Sequence, residues 1–466
     1  MNDKLLKLRS VLKTIPLNDN QINNILGIID TQNKEINDTI APLLEQYYSY
    51  GIERDYTNSS PNCIRIGNLD LHRSLPIQSK MRGCLLDDEG NVVEYLPEND
   101  WTTATRDGSK GQVMVEIPMH YRKFETKGTK HIVRFSEYPL SGYHQVPKMY
   151  VSAYEASIEH SSGKLCSVVN YDVDYRGGNN TSSWDNTYRS LLGRPVTKMN
   201  RSDFRFSARK RNNVKNTSWN CYLYDVHKAL FWLYVIEYAN LNSQLDYNAE
   251  LTLEGFRQGG LGKGVSNWLR SDWSTFNNEN PIVPCGYTDT LGNNTGVIAY
   301  TVYNKDGSEL NTSNVPRYRG VENPFGHIWK WIDGIIIRIS PTEANGGNNL
   351  SKVFVCEDLS KLSDKNYNHY KYVGNTARTS GYVKEIIFGE EGHIIPSIVG
   401  GSSTQFFCDN AVIDIFEVEG ISAVLIGSAM YSNEGGGLAS IALETPPLYK
   451  DPRLGSRLCF IPQNKN

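Results

Sequence analysis

The stretch Val315–Gly334 reads VPRYRGVENPFGHIWKWIDG and carries the clearest structural signal in the chain. It begins with turn-forming residues, Gly320 and the pair Asn323-Pro324. The alternation that follows places Trp329 and Trp331 on one face of a strand, because successive side chains of a strand point to opposite faces. Aromatic side chains in this pattern are typical of strands. The segment therefore predicts a tight turn that leads into a buried aromatic strand.

On both sides of this segment the sequence consists of short strand-like runs separated by turn residues, from about residue 49 onward. The predicted strands are residues 64–66, 82–86, 91–95, 113–117, 421–427 and 438–443, with 455–462 as a closing strand. Two helices are predicted, one at 224–241 that is apolar nearly all round and one near 187–192. Long polar stretches at 172–220 and 257–316 predict long loops. The expected fold class is α+β.

Residues 1–48 differ from the rest of the chain in their seven-residue apolar spacing. Two interleaved series recur with this period, Ile22, Ile29, Ile36 and Leu43 in one and Leu26, Asn33, Ile40 and Tyr47 in the other. As d and a positions they form a short coiled-coil seam in which isoleucine favours trimers and Asn33 fixes the register. An amphipathic helix packed on its own globular body is the alternative. Pro16 separates this helix from a shorter one at 5–15, and Pro42 is expected to limit or kink its far end.

The composition excludes several classes of function. The chain has 466 residues and a formal net charge of −3, so it lacks the basic footprint of a nucleic-acid-binding protein. No apolar run reaches the length of a membrane span, and the N-terminus does not resemble a secretory signal, so we expect synthesis in a cytoplasm without membrane insertion. Eight scattered cysteines without a close pair predict free buried thiols.

The catalytic and nucleotide-binding motifs that can be tested are absent. The glycine cluster at 259–264 has Arg257 where a phosphate-binding loop needs its first glycine, and Gly264 where that loop needs Ser or Thr. Neither a GxSxG elbow nor an HExxH motif occurs. We therefore predict no cofactor, no bound metal and no catalytic residues.

Two segments in the last third of the chain resemble motifs of the C-type lectin fold: NPFGHIWKW at 323–331 and GSRLCF at 455–460. The branch concerned is shared by formylglycine-generating enzymes and the variable proteins of diversity-generating retroelements, in which such motifs bracket the core. Four shorter segments are similar to phage and Bacteroidales variable proteins: GQVMVEIP at 111–118, YVSAYEA at 150–156, RGGNN at 176–180 and LGRP at 192–195. The resemblance covers about residue 50 to the C-terminus. It implies a ligand surface just before the closing strand, at about 409–454.

Two departures from these relatives concern their chemistry. Formylglycine-generating enzymes use two neighbouring cysteines near the C-terminus, whereas Cys408 and Cys459 lie far apart in this sequence. The Glu-Pro-Asn, Gln-Pro-Asp and Trp-Asn-Asp motifs of calcium-dependent lectins do not occur. The resemblance therefore implies the scaffold without either known chemistry.

The sequence thus predicts three regions. Residues 1–48 form a helical oligomerisation or attachment segment, 49–110 a β-rich connecting subdomain, and 111–466 a C-type-lectin-like domain with long loop insertions. Strands within 409–454 would hold loops whose tyrosines and polar tips supply adaptable contacts; ordinary surface loops are the alternative. The candidate ligand-binding residues are Asp409, Asn410, Tyr431, Asn433, Glu434 and Tyr449.

The function expected from these features is host recognition by a phage virion fibre, as a homotrimer in the virion. Its partners would be a bacterial surface glycan or protein and, through the N-terminal helix, other virion proteins. Two alternatives remain open at this point. One is an enzyme on the same scaffold, either formylglycine-generating-enzyme-like or acting on surface glycans, and the other is a purely structural decoration protein of the virion.

Overall fold

The computed structural model describes residues 18–212, 217–413 and 419–463. The protein is a mixed α and β structure made mostly of sheets. The described residues contain five α-helices: α1 Asp19–Tyr48, α2 Leu69–Ser74, α3 Arg201–Arg209, α4 Tyr224–Tyr238 and α5 Arg270–Asn277. Among them, no helix combines the length and the apolar character needed to cross a membrane.

The same residues contain 25 strands. The first twelve are β1 Ser49–Asp55, β2 Ile64–Gly67, β3 Arg82–Leu86, β4 Val92–Tyr95, β5 Gln112–Ile117, β6 His120–Lys127, β7 Lys130–Ser136, β8 His144–Val146, β9 Met149–Ser152, β10 Ser157–Glu159, β11 Lys164–Cys166 and β12 Trp219–Cys221. The others are β13 Gly296–Tyr303, β14 Glu309–Tyr318, β15 Val321–Glu322, β16 Trp329–Ile339, β17 Ser351–Val355, β18 Lys371–Asn375, β19 Gly381–Ile386, β20 Pro396–Val399, β21 Asn410–Val412, β22 Gly420–Ile426, β23 Ile441–Thr445, β24 Leu454–Gly455 and β25 Leu458–Phe460.

Three larger sheets organise the described structure. Their strand orders are β2-β1-β7-β6-β8, then β12-β25-β9-β5-β3-β4, and finally β18-β17-β16-β22-β23-β21-β19-β20 with β24 beside β16. β1 pairs with β7 and β3 pairs with β5, so strands from both sides of residue 110 share sheets. The predicted boundary between 49–110 and 111–466 is therefore not a boundary between sheets.

The aromatic strand predicted after the turn at Asn323-Pro324 is β16, which lies inside the largest sheet. β16 pairs with β17 on one side and with β22 on the other. Trp331 is fully buried, and its indole Nε1–H donates to the carbonyl oxygen of Met199 at 3.1 Å. Trp329 is 7% exposed. The prediction of a buried aromatic strand is confirmed.

The predicted strands at 64–66, 82–86, 91–95 and 113–117 are confirmed, and the long apolar helix is found as α4, buried on nearly every side. The helix predicted near 187–192 is wrong, because the chain makes successive turns there. The Oγ1 of Thr187 accepts a hydrogen bond from the backbone of Arg189, and the Oγ of Ser190 accepts one from that of Leu192. Such side-chain oxygens compete with helical hydrogen bonds for the backbone N–H groups.

The N-terminal helix is confirmed from Asp19 to Tyr48, whereas the shorter helix predicted at 5–15 lies outside the described residues. The side chains of Asn18 and Gln21 form a capping box at its start. The helix does not end at Pro42 but continues to Tyr48, where β1 follows directly.

Candidate ligand-binding site

Three strands of the largest sheet build the platform of the region predicted to display a ligand surface. β22 pairs antiparallel with β23, and β23 pairs parallel with β21. Two loops, 427–440 and 446–453, connect these strands to each other and to β24. Because the strands are fixed by their ladders, the loops have rigid ends, which suits a surface that presents side chains.

An open pocket of about 550 Å³ lies on this platform. Asn410, Val412, Leu425, Ala442 and Trp329 line it from the strands. The side chains that line it from the loops and the end of β23 include Tyr431, Ser432, Glu444, Tyr449 and Arg453. Pockets of this size, with apolar walls and a few polar groups, are typical of small-molecule and sugar-sized ligands.

Arg453 organises one wall of the pocket. Its Nε and one Nη donate to the two carboxylate oxygens of Asp451 at 2.6 and 2.8 Å, and its other Nη donates to the hydroxyl of Tyr431 at 3.1 Å. The Tyr449 hydroxyl donates to the same Asp451 carboxylate at 3.1 Å. These bonds to Asp451 raise the pKa of Arg453, so its charge is retained. The network holds both tyrosine rings in place, which reduces the entropy cost of binding.

The structure brings five of the six predicted residues to one surface. Asn410, Tyr431 and Tyr449 line the pocket. Asn433 and Glu434 lie on the exposed turn beside it, where both line one adjoining depression and Glu434 also lines a second. The backbone N–H of Asn433 donates to the carbonyl of Ser266 at 2.8 Å, which anchors this turn to the neighbouring loop.

Asp409 is the exception, because its side chain is fully buried beneath the surface. It accepts hydrogen bonds from the backbone N–H of Ala439 at 2.7 Å and from Nε2 of Gln244 at 3.2 Å. A Cβ atom on Gly437 would lie 2.2 Å from its Oδ1, so the loop is packed tightly against it. The prediction that Asp409 contacts a ligand is therefore corrected, since it supports the loops from below.

Burial raises the pKa of Asp409 from 3.8 to about 7. The folded state thus binds this proton more tightly than the unfolded state, so stability should fall as the pH rises from about 4 to about 7. Each pKa unit corresponds to about 1.4 kcal/mol, which gives a loss of about 3–4 kcal/mol. We expect Asp409→Asn to remove much of this loss, measured as the free energy of unfolding in urea between pH 5 and 8.

The control for this experiment is Asp306→Asn, which changes an exposed aspartate whose pKa is lowered by Ser308. This variant should keep the pH dependence of the unsubstituted protein. If Asp409→Asn also kept it, Asp409 would not be the titrating group.

Sequence reasoning missed Arg453, Glu444 and the pocket-facing part of Trp329. Arg453 belongs to the segment DPRLG at 451–455, which offers no pattern that distinguishes it from other surface arginines. Trp329 is buried, as the strand pattern predicts, and it is also part of the pocket wall. In the structure Asp451 begins a turn, in which its carboxylate accepts a hydrogen bond from the backbone N–H of Arg453 and its carbonyl accepts one from that of Leu454.

Three segments singled out in the sequence, 150–156, 323–331 and 455–460, meet at a buried junction. The Nδ1–H of His327 donates to the Glu155 carboxylate at 2.5 Å, because its Nε2 accepts the backbone N–H groups of Ile282 and Val283. The ammonium of Lys330 lies 2.9 Å from the other Glu155 oxygen. Although burial alone would raise the pKa of Glu155, Lys330 and His327 lower it to about 2.

Arg457 of the closing segment completes this junction. Its guanidinium donates to the carbonyl oxygens of Ser152 at 3.1 Å and Asn323 at 2.7 Å, and also to that of Glu322. Three distant parts of the sequence are thus joined by one buried side chain. The motif residues Glu155, His327, Lys330 and Arg457 therefore have a structural role, whereas Trp329 of the same motifs also lines the pocket.

Comparison with protein-family models and with curated proteins found no match to this chain. Among the described residues, no three His, Cys, Asp or Glu side chains are grouped as metal ligands.

Proposed function

We propose that this protein is a phage virion fibre or host receptor-binding protein that recognises a bacterial surface ligand through a C-type-lectin-like domain. The observation that carries the proposal is the open pocket of about 550 Å³ that residues of 409–454 line together with Trp329. Tyrosines with a low entropy cost and polar neighbours dominate contact energy at recognition surfaces. Tyr431 and Tyr449, held by Arg453 and Asp451, are such residues.

The C-type-lectin-like assignment is supported by the way its motifs pack. The segments at 150–156, 323–331 and 455–460, which are distant in sequence, meet through Glu155, Lys330 and Arg457. A set of motifs that defines a fold is expected to interlock in this manner.

The formylglycine-generating-enzyme-like alternative is disfavoured by the two cysteines near the C-terminus. Cys408 and Cys459 are fully buried, and burial raises the pKa of each thiol to about 12. Since the thiolate is the reactive form, both are poor nucleophiles at neutral pH. The pocket lining contributed by the described residues contains no cysteine.

The proposal is tested by incubating the fluorescently labelled full chain with a panel of intact bacteria. We expect binding to a subset of strains, and we expect it to survive EDTA, because the calcium motifs are absent and no metal-ligand group was found in the described residues. Loss of binding after removal of surface polysaccharide identifies a glycan receptor, and loss after protease treatment identifies a protein. Binding to no strain, or to all strains equally, would contradict the proposal and favour a decoration protein.

We also propose that α1 assembles the chain into a homotrimer or docks it to other virion proteins. Three seam positions, Ile40, Leu43 and Tyr47, have exposed fractions of 44%, 50% and 63% in the single chain. Nearer the helix start, Ile22 and Leu26 at the same seam are buried. Exposed apolar residues on one helix face are what a partner helix would cover.

The oligomer prediction is tested with Ile40→Glu and Leu43→Glu together. Charges at the seam should convert a trimer into a monomer, measured by sedimentation velocity at concentrations well above micromolar. The matched control is Ile28→Glu with Leu44→Glu, which changes two exposed apolar residues outside the two seam series. Deletion of residues 1–48 should likewise leave a folded monomer. A monomeric full-length chain would contradict the prediction.

A further inference from the structure

The pocket described above is one end of a longer groove. Ser432 lines both the pocket and a second depression of about 430 Å³. Lys263 and Glu434 line both this second depression and a third one of about 220 Å³, which reaches Gln244 and Thr404. The three depressions therefore adjoin one another in a row, and we call them together the extended groove.

The loops that form the extended groove are fastened to one another. The backbone N–H of Trp268 donates to the carbonyl of Met430 at 2.8 Å, and that of Asn433 donates to the carbonyl of Ser266. Gln244 donates through Nε2 to the carbonyl of Glu434 at 2.9 Å. The groove is thus preformed, so a long ligand does not have to order it on binding.

The chemistry of the groove suits an uncharged polyhydroxylated chain. Its second and third depressions carry amide and hydroxyl groups: Asn242, Gln244, Asn267, Tyr382, Ser403 and Thr404. Gln244 is 8% exposed, and its Oε1 accepts no hydrogen bond from the part of the chain that the structure describes. This oxygen is itself buried, and a ligand hydroxyl that reached it would supply the hydrogen bond it lacks.

The charges along the groove disfavour an acidic ligand. Asp246, Glu434 and Glu444 contribute three carboxylates to its lining, against the cations Lys263 and Arg453. Arg453 is already paired with Asp451 at 2.6 Å and lies 3.4 Å from Glu279. A polyanionic chain would therefore meet like charges that its binding does not neutralise.

We propose that the ligand is an uncharged linear oligosaccharide of at least three sugar units that lies along the extended groove, with its tightest contacts at Tyr431 and Tyr449. This inference rests on the proposed function and specifies its ligand. It predicts that recognition depends on chain length and on residues of the loops at 257–316 as well as on 409–454.

The test uses surface polysaccharide from a bacterial strain that the protein binds, partially hydrolysed and separated by size and charge. Binding of each fraction to the full chain is measured by calorimetry. We expect neutral fractions to bind more tightly with length, by about tenfold or more from one to four units. Lys263→Ala with Tyr382→Ala should remove most of this gain and leave the affinity for the shortest bound fraction nearly unchanged. The matched control, Tyr303→Ala with Lys305→Ala, changes exposed residues outside the groove.

Equal affinity for short and long fractions would overturn the inference, as would preferential binding of acidic fractions. A receptor destroyed by protease rather than by removal of polysaccharide would overturn it too, because a peptide would then occupy the groove. In all three cases the proposed function stands, since the strain is still recognised. Failure of the protein to bind any strain would contradict both the proposed function and this inference.

Discussion

Replacement of Trp331 by alanine is expected to lower the free energy of unfolding by about 3–5 kcal/mol, which is a large part of the stability of a typical domain. The side chain is fully buried, and it belongs to β16, which lies between β17 and β22 in the largest sheet. The substitution leaves a cavity and removes the hydrogen bond to the carbonyl of Met199. Urea unfolding followed by circular dichroism measures the effect.

Trp331→Phe is the matched control, because it keeps most of the buried volume and loses only the indole N–H and part of the ring. It should lower the free energy of unfolding by less than the alanine variant does. If the alanine variant unfolded at the same urea concentration but no longer bound the ligand, Trp331 would be a ligand-contact residue and not a core residue. Trp329→Phe is expected to affect both properties, since Trp329 is 7% exposed and lines the pocket.

Simultaneous replacement of Tyr431, Asn433, Glu434 and Tyr449 is expected to abolish attachment to bacteria. Aromatic anchors at the centre of an interface carry most of its binding energy, and losses of about 2–4 kcal/mol for each hot-spot side chain are common. Alanine suits three positions. Asn433 has φ of 47°, so glycine is the better replacement there because it adopts the left-handed conformation without strain.

The control for this variant replaces four exposed residues that line none of the three depressions, Tyr303, Glu343, Asn368 and Tyr372. Both variants should keep the unfolding transition and the oligomeric state of the unsubstituted protein. Normal attachment by the quadruple site variant would place the receptor face elsewhere, on the loops of 172–220 or of 257–316 beyond Lys263 and Asn267.

Much of the core could be predicted from sequence because its signals are local. In β16 the signal is the alternation of aromatic side chains, and in α4 it is the apolar surface on nearly every side of the helix. Both are properties of residues that are close together in the sequence. The capping box at Asn200 and Asp203, which starts α3, is a local signal of the same kind, whereas no helix forms at 187–192. There, side-chain oxygens that compete for backbone N–H groups decided against the helix.

The candidate site could be proposed from sequence only in part, because its geometry depends on contacts between distant residues. Tyr431 and Tyr449 could be chosen as contact residues on loops. The Arg453 network arises only when loops from different parts of the chain are brought together, and so does the depression that Ser432 and Lys263 line together. The burial of Asp409 depends on Gln244 and Ala439, which no pattern around residue 409 reveals.

The most direct test of the account is a hydrogen-exchange footprint of the full chain with and without the surface ligand of a bound strain. We expect slower amide exchange in residues 429–436 and 444–454 when the ligand is present. Protection confined to another surface would contradict it, for example the separate cavity of about 290 Å³ lined by Arg122, His144 and Lys371.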